Sequence, residues 1–207
     1  MKTWNDVFND RVLTIPNLIS AFRILLVPFF VYYVREYVYY NFRILEYVII
    51  VNICIVVVIS DFLDGYFARL LNQESIFGIY LDPVSDKIVT ITGLGVAVYY
   101  FSFPIWIFIL YIIREIIGFA VGTFLFFRRG FQGRPNIWGK TGVALVAVSV
   151  YWYISSPLII RYFPENNILR QNQYSAYILI TVVAIGSYVY LKTYWEDFKG
   201  GIVRTTF

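Results

Sequence analysis

Four aspartates are the residues of this chain whose type and spacing most clearly indicate chemistry. Asp61 and Asp64 lie at positions i and i+3, and Asp82 and Asp86 lie at positions i and i+4. Residues at these spacings share one face of a helix. If both segments are helical, each pair presents two carboxylates on the same side.

Small residues accompany both pairs. Gly65 and Ala68 continue the face of the first pair, and Gly78 lies four positions before Asp82. An antiparallel turn would bring the pairs opposite each other, where four anions repel unless they hold divalent cations. The chain contains no histidine, so these hard oxygen ligands indicate Mg²⁺, Mn²⁺ or Ca²⁺ rather than zinc. Metals held in this way usually bind phosphates.

The elements that carry the aspartates are predicted to cross a membrane. The chain has 207 residues, of which 59% are hydrophobic and 14% charged, whereas about a quarter is charged in soluble domains. Because a crossing needs roughly 20 apolar residues, hydropathy predicts an all-α, polytopic protein with six transmembrane helices. Their approximate bounds are 18–40, 44–67, 84–102, 104–127, 141–160 and 175–192. Residues 1–207 are expected to form a single domain, and an aspartate near a bilayer core is usually functional.

The chain ends are expected on the cytoplasmic side of the cell (inner) membrane. With six crossings, most of the 17 Lys and Arg residues fall on the side of both termini, as the positive-inside rule requires for cytoplasmic ends. Residues 1–14 lack the pattern of a signal peptide. Apolar residues recur among them at helical spacing, which predicts a short interfacial helix, although a cytosolic tail is an alternative.

The whole spacing resembles a known signature. The string Asp61-x2-Asp64-Gly65-x2-Ala68-Arg69-x8-Gly78-x3-Asp82-x3-Asp86 is similar, without departure, to that of the CDP-alcohol phosphotransferase family. The resemblance implies that the four aspartates hold two divalent ions, Mg²⁺ or Mn²⁺, on the pyrophosphate of a CDP-linked substrate. It also implies that Asp86 is the general base of a transferase in phospholipid biosynthesis. Arg69 would contact the pyrophosphate, and three small residues would line the nucleotide site: Gly65, Ala68 and Gly78.

Further stretches resemble one branch of that family, the bacterial phosphatidylglycerophosphate synthases. They are Pro16 to Arg23, with Ser20 in place of the usual threonine, Ser60 to Gly65, Leu81 to Lys87, Arg114-Glu115 and Gly139 to Thr141. This resemblance implies that CDP-diacylglycerol and glycerol 3-phosphate are the substrates. It also implies that Asn17 helps to hold the nucleotide and that Arg114 and Lys140 bind the acceptor's phosphate. A homodimer in membrane lipid is expected, and no nucleic-acid partner.

Two departures from the synthase pattern leave the identity of the acceptor alcohol undecided. Positions where the synthases usually carry further basic residues are occupied by Val121 and Gly142. A cardiolipin synthase using phosphatidylglycerol, or a CDP-choline or CDP-ethanolamine phosphotransferase, is therefore an alternative. Intramembrane carboxylates also occur in ion-coupled transporters, but no internal repeat is visible. Membrane prenyltransferases also bind a diphosphate through aspartates, usually in well-separated loops.

Overall fold

The described part of the chain is an antiparallel arrangement of six helices. The computed structural model describes residues 12–71, 73, 75–129, 137–163 and 168–199, with the backbone alone at 76, 79, 121, 122, 124–129, 137–140, 168–171, 173, 190, 191 and 193–199. The described residues contain no strand. The helices are α1 (Ile15–Tyr39), α2 (Ile44–Leu70), α3 (Ile76–Phe101), α4 (Ile105–Arg129), α5 (Ile137–Tyr162) and α6 (Ile168–Lys199).

Side-chain caps and left-handed residues define the ends of the helices near the aspartates and at the first turn. The Thr14 hydroxyl accepts a hydrogen bond from the Asn17 amide at 3.3 Å, which starts α1. The Ser75 hydroxyl accepts one from the Gly78 amide at 3.0 Å and starts α3. Between α1 and α2, Asn41 and Phe42 have φ values of 55° and 60°. The side-chain caps at Thr14 and Ser75 each stabilise the start of a helix by about 1 kcal/mol.

The apolar core lies in the half of the bundle away from the aspartates. Helix α1 packs against α2 and α3, α5 packs against α6, and α3 also contacts α4 and α5. Val34 and Tyr37 of α1, Ile50 of α2 and Leu94 of α3 are almost completely buried. The Tyr37 hydroxyl donates to the Ile154 carbonyl of α5 at 3.3 Å. This packing holds one end of the bundle and leaves the aspartate end more open.

Each of the six predicted apolar stretches lies within a helix or extends one residue beyond it, but fewer helices have the length and hydropathy of a membrane crossing. Among the described residues, three helices are long and apolar enough to cross a bilayer: Ile15–Tyr39, Ile44–Leu70 and Thr141–Tyr162. Tyr174–Val189 is a shorter apolar helix. Asp86 and Lys87 lower the hydropathy of α3, which begins at Ile76, eight residues before the predicted span.

The outer faces of the helices are apolar, as expected for contact with lipid. Leu25 of α1 is 64% exposed, and Val58 of α2 and Ile116 of α4 are each 61% exposed. The predicted interfacial helix falls mostly outside the described residues. The part that is described, residues 12–14, is not helical.

Candidate active site

The two aspartate pairs meet where α2 ends and α3 begins. One carboxylate oxygen each from Asp61, Asp64 and Asp82 lies within 4.8 Å of the others. The side chain of Asp64 is only 6% exposed, whereas those of Asp61 and Asp82 are 56% and 47% exposed. One carboxylate is therefore held in the protein, and the others face an open space that a ligand can enter.

Arg23 of α1 lies at the centre of the four carboxylates. Its side chain is 1% exposed, and its Nη1 atom is 3.0 Å from Asp61 Oδ1 and 3.5 Å from Asp82 Oδ1. Nη1 also contacts Asp86 Oδ1, and Nη2 contacts Asp64 Oδ2. Asp86, which lies outside the closest group of three carboxylates, thus joins the cluster through this guanidinium.

The donor set fits divalent cations. Four carboxylates against one guanidinium leave a formal charge of about −3, which a site of hard oxygen ligands balances best with divalent metal. Asp82 Oδ1 is buried and accepts no hydrogen bond from the described residues, although Arg23 Nη1 forms an ion pair with it at 3.5 Å. A buried acceptor of this kind normally has a partner, and a metal ion would provide one.

Ser20 and Arg23 also contact the aspartates, although the sequence alone assigns them no role. The Ser20 hydroxyl is buried and donates to Asp64 Oδ2 at 3.1 Å. The available signal was their spacing: Asn17, Ser20 and Arg23 recur every three positions in the otherwise apolar stretch 15–34, and such polar residues usually face the interior of a bundle.

Gly78 and Asn17, both predicted at the nucleotide site, lie against each other. The Asn17 side-chain amide donates to the Val12 carbonyl at 2.8 Å and to the Ser75 hydroxyl at 3.1 Å. A Cβ on Gly78 would lie 2.5 Å from Asn17 Oδ1. The glycine therefore allows α1 and α3 to approach closely, and the nucleotide role of both residues stays a prediction.

Gly65 is different. A Cβ added there meets no atom within 4 Å other than those of its chain neighbours and its own helix backbone. Arg69, one turn later, is exposed and donates from Nε to the Gly65 carbonyl at 3.1 Å, and Ala68 is half-buried between them. These three residues form an accessible strip of α2 beside the aspartates, and their role at a nucleotide site stays a prediction.

We expect Gly78→Ala and Gly65→Ala to differ in stability. The Gly78 variant should lose about 1–3 kcal/mol, as overpacked sites do, because hydrogen bonds hold Asn17 in place. The Gly65 variant should be as stable as the parent or up to about 1 kcal/mol more stable, because alanine favours helix. Thermal unfolding in detergent measures both. Equal unfolding temperatures for the Gly78 variant and the parent would contradict the contact with Asn17.

Of the two predicted acceptor-phosphate residues, only Arg114 has a described side chain. Arg114 Nη1 contacts Glu115, whose buried carboxylate also accepts from Lys87 Nζ at 2.5 Å. Arg114 and Lys87 are 30% and 27% exposed. One carboxylate thus holds two partly accessible cations, one of them next in sequence to Asp86. Lys140 lies in α5, and its side chain is outside the described part of the chain.

Comparison with known proteins gives consistent matches. Residues 13–189 match the CDP-alcohol phosphatidyltransferase family. The chain is 33% identical over 190 residues to the CDP-diacylglycerol–glycerol-3-phosphate 3-phosphatidyltransferase of Aquifex aeolicus, covering 90% of this chain and 94% of the relative. The protein of the same name from Wigglesworthia glossinidia brevipalpis is 40% identical over 108 residues, 51% of this chain and 56% of that one. A putative cardiolipin synthase of Mycobacterium bovis is 40% identical over 83 residues. This match covers 40% of this chain and 36% of the relative.

Proposed function

Since this chain belongs to the CDP-alcohol phosphatidyltransferase family, we propose that it transfers the phosphatidyl group of CDP-diacylglycerol to a hydroxyl of glycerol 3-phosphate. The products are CMP and phosphatidylglycerophosphate. The observation that carries this proposal is the four-aspartate cluster, formed by the residues that match the family signature. The likeness to the Aquifex aeolicus protein over 94% of its length supports the choice of substrates.

The chemistry is a displacement at phosphorus. Two divalent ions held by Asp61, Asp64, Asp82 and Asp86 would supply positive charge to the diphosphate and to the leaving CMP. The acceptor's hydroxyl oxygen forms a bond to the phosphorus that carries diacylglycerol, and the bond from that phosphorus to CMP breaks. Asp86 takes the hydroxyl proton. Its side chain is 38% exposed, so an acceptor can approach it.

The nucleotide half of the substrate is assigned to the exposed strip on α2. Gly65 leaves open space above the helix backbone, where the diphosphate can come close. Arg69 is exposed beside it and carries planar donors suited to phosphate oxygens. Ala68, between them, leaves the same face free of a bulky side chain.

The acceptor half is assigned to the cations at α4 and α5. Arg114 and Lys140 bind the phosphate of glycerol 3-phosphate, Arg114 being oriented by Glu115. Lys87 shares the same carboxylate, so the local charge of this group is about +1 before Lys140 is counted. A phosphorylated alcohol is better matched to such a site than a neutral or cationic one.

The apolar helices also suggest how the protein lies in a membrane. We infer a single domain of six crossing helices, a cleft at the cytoplasmic face of the cell membrane, cytoplasmic termini and a homodimer. The exposed apolar faces of α1, α2 and α4 support contact with lipid. The diacylglycerol tails remain in the bilayer while the CDP head enters the cleft.

Cardiolipin synthesis is the second candidate. It is favoured by the likeness to the putative cardiolipin synthase of Mycobacterium bovis and by the absence of further basic residues at Val121 and Gly142. The acceptor would then be phosphatidylglycerol, which reaches the cleft through the membrane. The aspartate chemistry would be unchanged.

Acceptor-dependent release of CMP tests the proposal. The purified protein is given Mg²⁺ and CDP-diacylglycerol, and glycerol 3-phosphate, serine, inositol 1-phosphate and phosphatidylglycerol are added in separate reactions. Of the four reactions, we expect only the one with glycerol 3-phosphate to release CMP. Release with phosphatidylglycerol alone would favour the second candidate, and release with none of the four would refute phosphatidyl transfer to any of these acceptors.

A further inference from the structure

We propose that Arg23 competes with a divalent cation for the carboxylates of the cluster and leaves them when metal binds. The inference rests on the proposed function only through its metal site. Within the described residues, every hydrogen bond made by the Arg23 side chain goes to one of the aspartates, namely Asp61, Asp64 and Asp86. Its Nε has no hydrogen-bond partner among the described residues. The guanidinium is therefore held by the cluster itself.

A guanidinium and a metal ion cannot share this position. Nη1 carries two hydrogens yet is surrounded by oxygens of Asp61, Asp82 and Asp86, two of them at 3.0 and 3.5 Å. An ion bound by these oxygens needs distances of about 2.0–2.6 Å. It would have to sit among the same atoms, where it overlaps Nη1 and repels its charge.

The positive charge of Arg23 also stabilises the four aspartates when no metal is bound. Four aspartates without a cation would give a formal charge of about −4 in a site where Asp64 and Arg23 are almost completely buried. Like charges this close repel one another, and solvent screens the buried Asp64 carboxylate least. The guanidinium lowers the formal charge to about −3 and connects carboxylates from two helices. Arg23 is therefore a positioning residue that stabilises the four carboxylates and competes with metal for them.

Metal binding without substrate tests this competition. Mn²⁺ affinity is measured by titration calorimetry on the purified protein in detergent, and thermal unfolding is followed in EDTA. We expect Arg23→Gln to bind Mn²⁺ at least about tenfold more tightly than the parent, because the ion no longer has to displace a guanidinium paired with the same carboxylates. In EDTA the same variant should unfold at a lower temperature.

Two further variants keep the test interpretable. Arg23→Lys retains the positive charge, so its unfolding temperature in EDTA should lie closer to that of the parent. Arg23→Gln combined with Asp61→Asn leaves three carboxylates and no arginine, a formal charge of about −3 as in the parent. This double variant should unfold in EDTA at a higher temperature than Arg23→Gln. If Arg23→Gln does not fold in EDTA, the unfolding temperature of the double variant is compared with that of the parent instead.

Arg43→Gln is the matched control. Arg43 also pairs with a buried carboxylate, Glu46, but at the start of α2 away from the cluster, so its loss should leave Mn²⁺ affinity unchanged. Unchanged or weaker Mn²⁺ binding by Arg23→Gln would overturn the inference, because Arg23 would then arrange the carboxylates without competing for them. A parent protein that binds no Mn²⁺ would instead refute the proposed metal site.

Discussion

Asp86→Asn should lower kcat by about a thousandfold, within the range that a general base contributes. Asparagine keeps the size of the side chain but cannot accept the proton of the acceptor's hydroxyl at neutral pH. The three remaining carboxylates of the cluster are unchanged, so binding of CDP-diacylglycerol should be retained in part. Initial rates of CMP release and equilibrium binding of CDP-diacylglycerol measure the two effects separately.

Glu36→Gln is the control for this substitution. It makes the same acid-to-amide change in α1, at a position far along the helix from the cluster and without an assigned role, and should leave kcat unchanged. If Asp86→Asn turns over as fast as the parent, Asp86 is not the base. A parallel loss of CDP-diacylglycerol binding and of kcat would assign Asp86 to metal binding alone.

Lys140→Ala should raise the KM for glycerol 3-phosphate by about 10- to 100-fold, because a hydrogen bond to a charged group contributes about 1.5–3 kcal/mol. The KM for CDP-diacylglycerol should change little, since the nucleotide is assigned to α2. Rates are measured against each substrate with the other at saturation.

Lys192→Ala, an exposed lysine of α6 without an assigned role, controls for the general loss of a cation. It should leave both KM values unchanged. If Lys140→Ala has unchanged acceptor kinetics, Lys140 does not bind the acceptor's phosphate. If the two KM values rise together, it acts on the site as a whole.

The helices and the meeting of the aspartates could be predicted from the sequence because both depend on local spacing. The spacing of Asp61 and Asp64 places them on one face of a helix, and the close approach of Asp82 follows once α2 and α3 are antiparallel. The length of α3 was less predictable. Its charged first half lowers its hydropathy, so the apolar pattern alone starts eight residues late.

The contacts between α1 and the other helices could not be predicted in this way. Periodicity identifies the face on which Arg23 lies, but not that the cluster of α2 and α3 packs against it. Gly78 was assigned to the nucleotide from its position in the signature, and that position did not predict its closeness to Asn17 and Ser75. Likewise, no local pattern connects Lys87 to Glu115, which are 28 positions apart in sequence. Such pairs arise from packing between distant segments.

The most direct measurement of the central claim is the stoichiometry of the lipid product. The purified protein is incubated with CDP-diacylglycerol, Mg²⁺ and isotopically labelled glycerol 3-phosphate, and labelled lipid and free CMP are quantified over time. We predict one labelled phosphatidylglycerophosphate for each CMP, and neither product when EDTA replaces Mg²⁺. CMP without labelled lipid would contradict transfer to glycerol 3-phosphate, and full activity in EDTA would contradict a reaction that depends on metal held by the four aspartates.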